Sequence, residues 1–272
     1  VYEGFPNQAP DSHGYYGPAA AKQLRYLLKN VTRTPTGAIS QRASPKQVQL
    51  WSDSAYMGPP FLAYYGWVTQ NQSLVQMAFD ELKLQRSALH RPQDPGRHLW
   101  RHIIEFPNNT KATRAIDARV WLTGNGWAAA GMLRVAAIIS HSPWADKMQA
   151  QHDQLVQWAD DIITAAYQFV DPGTGLLLNA IDDPSTFLDG SGSALLSYAV
   201  FRLASMDQGR KKHVDMAEKA YQTLSKSLNS LSQFTNGIQT VNEMQSNEAG
   251  ATSTESLAFL ILMAAARRDY HA

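Results

Sequence analysis

Apolar residues recur along this chain at three- and four-residue steps. Leu155, Trp158, Ile162, Ile163, Ala166 and Phe169 line one such stripe, and Leu74, Met77, Leu82 and Leu84 line part of another. That spacing puts them on one face of an α-helix. The same period marks segments near 18–30, 48–57, 59–66, 72–86, 126–140, 144–169, 192–206, 211–228 and 253–268. Period-two alternation, the mark of a half-buried strand, is almost absent. Short extended pieces are expected only near 99–105 and 175–180. The pattern predicts an all-α fold.

The punctuation between helices is rich in Gly, Pro, Asn and Asp, as at Pro6–Pro10, Thr34–Gly37, Pro92–Gly96, Asp171–Gly175 and Asn236–Gly237. None of these stretches reads as a linker between domains, so residues 1–272 are expected to form one domain of helical hairpins. Long loops (87–121, 170–191, 229–252) alternate with short ones. In stacked hairpins that alternation gathers the long loops on one rim, where function usually sits. A toroid of antiparallel helix pairs, an (α/α)-barrel-like arrangement, is the favoured architecture, with an irregular bundle as the fallback. No solenoid repeat is visible.

Composition narrows the chemistry. The formal net charge is +1, which gives no reason to expect a nucleic acid or an acidic membrane surface as partner. With no cysteine, disulfides and thiolate metal sites are excluded. The His residues are scattered, so neither a metal nor another cofactor is expected. Leu257–Ala266 is the most apolar run and is too short to span a bilayer. The chain opens on Val1 without a visible signal peptide, so a processed or partial chain is expected. Sequons at Asn30, Asn71 and Asn108 lean toward a secreted glycoprotein.

One stretch concentrates candidate chemistry. Trp51-Ser-Asp-Ser-Ala-Tyr-Met-Gly-Pro-Pro-Phe-Leu-Ala-Tyr-Tyr-Gly66 sets Asp53 among Trp51, Tyr56, Met57, Phe61, Tyr64 and Tyr65. Burial among rings favours the protonated form of a carboxyl group, and such an acid can donate a proton in catalysis. With Asp53 on a helix, Tyr56 and Met57 share its face. A plain capping or solvated Asp is the competing reading. A second group is Trp121-Leu-Thr-Gly-Asn-Gly-Trp127, where Asn125 and two indoles meet at a helix mouth. Indole faces suit sugar rings; a cap by Asn125 with Trp127 in the core fits as well. His98 and His102 lack a third ligand, so His102 reads as a neutral hydrogen-bonding group near the rim. Asp160–Asp161 reads as solvated, Arg210–Lys212 as a solvated helix start, Asp182–Asp183 as a turn, and Asp189-Gly-Ser-Gly-Ser193 as a capping loop.

The Asp53 motif, with Gly37-Ala-Ile-Ser40, Trp100-Arg-His102, Trp121–Trp127 and Glu255–Met263, resembles glycoside hydrolase family 105, the unsaturated rhamnogalacturonyl hydrolases, and most of all their fungal branch. The resemblance runs in order over nearly the whole chain. It implies an (α/α)6 barrel and about three further helices ahead of the segment that opens here, which would leave an incomplete toroid. It implies hydration of the C4=C5 double bond of an unsaturated uronic acid at the non-reducing end of a lyase-generated oligosaccharide. Asp53 would protonate C4 and act as base for the water that adds at C5; the hemiketal then opens and the linkage breaks. Substrate contacts would come from His102 and Trp127, with Gln41, Arg42, Trp51, Tyr56, Met57, Thr123 and Asn125 around them. Relatives carry His where Gln41 stands, and bacterial ones carry Arg where Thr123 stands. Two other readings compete: a truncated, non-catalytic sugar-binding or scaffold relative, and a helical-toroid hydrolase using Asp182 and Asp183 as acid and base.

Overall fold

The computed structural model describes residues 16–91, 98–227 and 253–272, together with a strand pair at 241–242 and 245–246. The turns expected at Pro6–Pro10, Pro92–Gly96 and Asn236–Gly237, and most of the 229–252 loop, lie outside the described residues. Eight α-helices dominate: α1 (Tyr16–Lys29), α2 (Ser54–Val68), α3 (Gln72–Leu89), α4 (Leu122–Ser140), α5 (Gln149–Ala166), α6 (Gly190–Met206), α7 (Val214–Ser227) and α8 (Thr254–His271). Among the described residues, no helix is long and apolar enough to cross a membrane.

The helices form hairpins arranged as a helical toroid. Helices α2, α4, α6 and α8 lie side by side and run the same way, while α3, α5 and α7 pack back against α2, α4 and α6. Glycines set the close approaches in the inner row. A Cβ on Gly124 would sit 2.2 Å from Ser52 Oγ, and one on Gly131 2.2 Å from the Ala55 carbonyl oxygen, so α4 touches α2 almost backbone to backbone. Gly192 of α6 meets Leu122 of α4, and Gly126 of α4 meets Leu195 of α6. Ser191 and Ser256 hydrogen-bond near the starts of α6 and α8, and Phe201 meets Tyr270 near their ends. Four helix N-termini therefore gather on one side. Helices α4 and α6 are buried on nearly all faces, whereas α7 buries only a stripe that includes Val214, Ala217, Ala220 and Leu224.

Three expectations are corrected. The segments near 48–57 and 59–66 are not two helices: Gln49–Trp51 is a strand, and α2 then runs unbroken through Pro59 and Pro60. Pro59 cannot donate to the Ala55 carbonyl four residues back; Gly131 of α4 comes up against that carbonyl instead. Asp160 and Asp161 are paired rather than solvated, Asp160 with Arg210 and Asp161 with His98 at 3.7 Å. Arg210 is thus tied down in a short 3-10 turn, and α7 starts later, at Val214.

A small sheet completes the rim. Strands β1 (Gln49–Trp51), β2 (Ile103–Glu105) and β3 (Arg114–Asp117) pair antiparallel in that order. Trp51 sits opposite Ile103, which sits opposite Asp117, with a register shift after Ile103. The extended piece expected near 99–105 is β2. The one expected near 175–180 contributes single bridges, Leu178 to Leu188 and Ala180 to Trp121.

Candidate active site

The sheet brings three polar side chains together. Asp53 follows β1 and occupies the N-cap position of α2. His102 precedes β2, and its backbone is held on both sides: Ser52 N donates to the His102 carbonyl at 3.0 Å, and His102 N to the Arg119 carbonyl at 3.0 Å. Asp117 ends β3. His102 Nδ1 lies 2.9 Å from Asp117 Oδ2, and its Nε2 lies 3.5 Å from Asp53 Oδ2, the outer limit of a hydrogen bond. Arg119 grips both oxygens of Asp117 through its Nε, at 3.0 and 3.1 Å. The result is a row, Arg119–Asp117–His102–Asp53, that runs from the sheet to the rim.

The charges along this row follow from its contacts. Burial works against charge on His102, but hydrogen bonds to Asp117 and then to Asp53 outweigh it and raise the imidazole above its ordinary value. Burial likewise opposes charge on Asp117, yet the bonds from His102 and Arg119 hold its carboxyl far below the usual carboxylate range. Asp117 is therefore a fixed anion facing Nδ1, which carries a proton. The raised imidazole then presents N–H at Nε2 to Asp53.

Asp53 ends the row at the head of α2, with 16% of its side chain open to solvent. Its surroundings differ from the expected aromatic jacket: its polar neighbours are Ser52 Oγ at 3.4 Å and His102, and both contacts fall on Oδ2. The rings lie one layer back. His102 sits between Trp51 and Trp121, with centroids at 5.6 and 4.5 Å, and the Arg42 guanidinium stacks on Trp51 at 4.7 Å. Asp53 caps no backbone N–H of α2 with its side chain. Its carboxyl is thus not committed to helix capping.

The other expected contacts separate into distinct roles. His102 is fully buried, with its Nε2 directed at Asp53. Asn125 is also fully buried and spends its amide on backbone: Oδ1 accepts from Trp100 N at 2.8 Å, while Nδ2 donates to the Trp100 and Trp121 carbonyls at 3.0 and 2.9 Å. It clamps the strand leading to His102 and is neither a sugar ligand nor a cap, since Trp121 holds the N-cap position of α4. Thr123 is buried in the first turn of α4, where Oγ1 donates to Asp189 Oδ2 at 3.4 Å. Tyr56 N donates to the Asp53 carbonyl at 3.0 Å, and the side chains of Tyr56 and Met57 make contacts of their own. The Tyr56 ring meets Trp127 at 4.5 Å, tilted by 48°, under the Arg134 guanidinium. Met57 is 49% exposed and lines, with Gln41, a separate cavity beside α1. Gln41 is linked to the Asp53 turn through Ser54 Oγ, which donates to its Oε1 at 2.6 Å. Phe61, Tyr64 and Tyr65 belong to the body of α2, where Phe61 meets Tyr65 at a tilt and Tyr64 meets Trp67 edge-on.

Asp189 is the second unusual carboxyl. It caps α6, accepting from Gly192 N at 3.0 Å, and its other oxygen accepts from Asn179 Nδ2 at 3.1 Å. The expected capping loop is what the structure shows. Complete burial nonetheless pushes this acid up to about 6 against the opposing hydrogen bonds. The Asp182–Asp183 pair makes no acid–base couple. Asp182 pairs with Arg91 at 3.2 Å, and Asp183 accepts from Ser185 N and Oγ in a turn that holds it below the ordinary carboxylate value. His98 stacks on His90 with centroids 5.4 Å apart, away from His102. Sequence reasoning missed Asp117, Arg119 and Ser52. The only signal for the first two was an Asp-x-Arg in a stretch read as loop, because the strands are too short to show a period.

The comparisons with known proteins follow the same lines. The sequence profile of Glycosyl Hydrolase Family 88 matches residues 10–259. The unsaturated rhamnogalacturonyl hydrolase YesR of Bacillus subtilis is 24% identical over 191 residues, covering 68% of this chain and 51% of YesR. This chain thus spans about half the length of that curated relative. A protein from Klebsiella pneumoniae, described as a possible member of the GH105 family, superposes with a TM-score of 0.80 at 19% identity, over 97% of this chain and 68% of that one. The unsaturated glucuronyl hydrolase of Bacillus sp. GL1 gives a TM-score of 0.60 at 16% identity, over 81% of this chain and 58% of that one. At these identities the structures establish the fold, a helical toroid; the profile establishes the family. The chain belongs to Glycosyl Hydrolase Family 88.

Proposed function

We propose that the protein is a glycosidase that removes an unsaturated uronic acid from the non-reducing end of lyase-generated oligosaccharides of the pectin or rhamnogalacturonan type, with Asp53 as general acid and base. The observation that carries this reading is a partly accessible carboxyl at the rim, backed by a buried imidazole that is itself held by a fixed anion. Vinyl-ether hydration needs that and no paired nucleophile, so it stands outside two-carboxylate glycoside hydrolysis. Asp53 gives its proton to C4, and positive charge develops at C5. Water adds at C5 while the Asp53 carboxylate takes the proton that water releases, which restores the acid. The hemiketal at C5 opens, and the glycosidic bond is lost. His102 is a positioning residue: its Nε2–H faces Oδ2 and stabilises the carboxylate that exists between the two proton transfers. The gathered N-termini of α2, α4, α6 and α8 favour an anionic uronate on this side.

Replacing Asp53 by Asn keeps its size and removes the transferable proton. D53N is expected to lower turnover of an unsaturated disaccharide, followed by loss of its ultraviolet absorbance, by about 100-fold or more. Unchanged turnover overturns the assignment. The proposal extends to export: Asn30, Asn71 and Asn108 are all exposed, as N-glycan acceptors must be. In a secreting eukaryotic host, enzymatic deglycosylation is expected to lower the mass of the protein; no change would dismiss that part.

A further inference from the structure

Ser52 stands one residue before Asp53 and is fully buried, yet it carries a hydroxyl. A buried hydroxyl without a partner is costly, so the destination of its proton matters. That destination is Asp53: Ser52 Oγ lies 3.4 Å from Oδ2. His102 Nε2 reaches the same oxygen at 3.5 Å. Among the described residues no hydrogen bond falls on Oδ1. The two oxygens of the carboxyl are therefore unequal.

The head of α4 holds both donors in place. Trp121 lies against the His102 ring, with centroids 4.5 Å apart. Gly124 lies against Ser52: a Cβ there would come 2.2 Å from Oγ and 3.2 Å from the Ser52 Cβ. The hydroxyl fills the space that a side chain at 124 would need. The Ser52 backbone is fixed as well. Its N donates to the His102 carbonyl at 3.0 Å, and its own carbonyl accepts from Ala55 N at 3.3 Å. A protonated carboxyl keeps its proton on the oxygen that is not accepting from its neighbours. Here that oxygen is Oδ1.

We propose that Ser52 is a second positioning residue of the site: it donates to Oδ2 beside His102 and leaves Oδ1 as the oxygen that exchanges the proton. The inference rests on the reading of Asp53 as general acid and base. In the first step the Oδ1–H bond breaks, its electron pair stays on the carboxyl group, and the proton bonds to C4 with the π pair of C4=C5. In the second, Oδ1 takes a proton from the water that adds at C5, and the acid is restored. Between the two steps the carboxyl group is an anion. Contacts of 3.4 and 3.5 Å are long, and a charged acceptor draws such donors into shorter, stronger bonds. Stabilisation that grows with the charge lowers the barrier instead of tightening substrate binding.

Three variants test it by steady-state kinetics on an unsaturated uronyl disaccharide and by thermal melts. S52A removes the donor with little change of volume. Its kcat is expected to fall about tenfold, with KM within about twofold of wild type. G124A puts a methyl group where Oγ stands, so it is expected to lose at least as much kcat and to melt lower. S52A/G124A takes away the clashing atom. It is expected to regain most of the melting temperature that G124A loses, while its kcat stays at the S52A level. Recovered stability without recovered turnover separates the work of the hydroxyl from packing. Wild-type kcat in S52A, with D53N inactive, overturns the inference and leaves the catalytic reading standing. So does a change confined to KM, or a double variant that turns over as fast as wild type. Unchanged turnover in D53N is the separate outcome that removes the acid itself, and with it the step assigned to Oδ1.

Discussion

At the residue scale the site is defined by what each side chain is tied to. His102 carries a proton because Asp117, itself held by Arg119, faces its Nδ1. An imidazole raised by a folded-state partner contributes stability below its ordinary value and loses that contribution as pH rises through the raised one. The same titration removes the N–H that faces Asp53. Turnover is therefore expected to fall on the alkaline side as His102 deprotonates. D117N replaces the anion by an amide that cannot balance the imidazolium, so this limb is expected to move to lower pH by about one unit or more. A kcat profile measured from acid to alkaline pH checks it, and coincident limbs in wild type and D117N would remove His102 from the mechanism. Asp189 gives a second check, of the same sign. Its acid sits at about 6 against an ordinary 3.8, so the folded chain keeps a proton that the unfolded chain has released. Its stabilising effect is complete below the ordinary value and is lost as pH rises toward the raised one. The loss is about 3 kcal/mol, at 1.36 kcal/mol per unit. Urea midpoints at pH 4 and pH 7 are expected to show this slope in wild type and a flatter one in D189N. Asp53 was legible in the sequence as a lone acid in a distinctive motif. Its partners were not, because Asp117 and His102 become neighbours only through strands of three or four residues.

At the element scale the sequence showed most of the helices and blurred their boundaries. Stripes such as Leu155 to Phe169 are long enough to fix a period, so α5 was legible. Residues 48–66 were not, because a fully buried three-residue strand and a helix through two prolines both read as apolar runs. What holds α2 against α4 lies at Gly131, where a side chain is excluded by the Ala55 carbonyl. G131A is expected to destabilise the protein by about 2 kcal/mol through overpacking. It is expected to lower turnover as well, since α2 carries Asp53 at its head. G58A, three residues after Ala55 on the same helix, meets open space. It is expected to stabilise the protein by about 0.5–1 kcal/mol through helix propensity. Thermal melts of the two variants side by side read the difference. Equal melting temperatures would mean that α2 and α4 have more freedom to part than their contact at Gly131 allows.

At the scale of the whole molecule, the toroid matters for direction. With α2, α4, α6 and α8 running the same way, the positive ends of four helix dipoles fall on the side that carries Asp53. Each end favours an anion by about 0.3–1 kcal/mol, and salt screens the effect. The net charge of +1 adds little steering of its own, so under the proposed function these helix ends are the attraction for a uronate that salt can screen. KM for an unsaturated uronyl disaccharide is then expected to rise several-fold as salt increases from 0.1 M to 1 M, where the screening length falls from about 10 Å to about 3 Å. The proton transfers take place inside contact distance, so kcat is expected to change far less. A salt-independent KM would mean that the uronate is held by direct contacts alone. It would leave the shared direction of the inner helices as a consequence of hairpin stacking with no part in recognition.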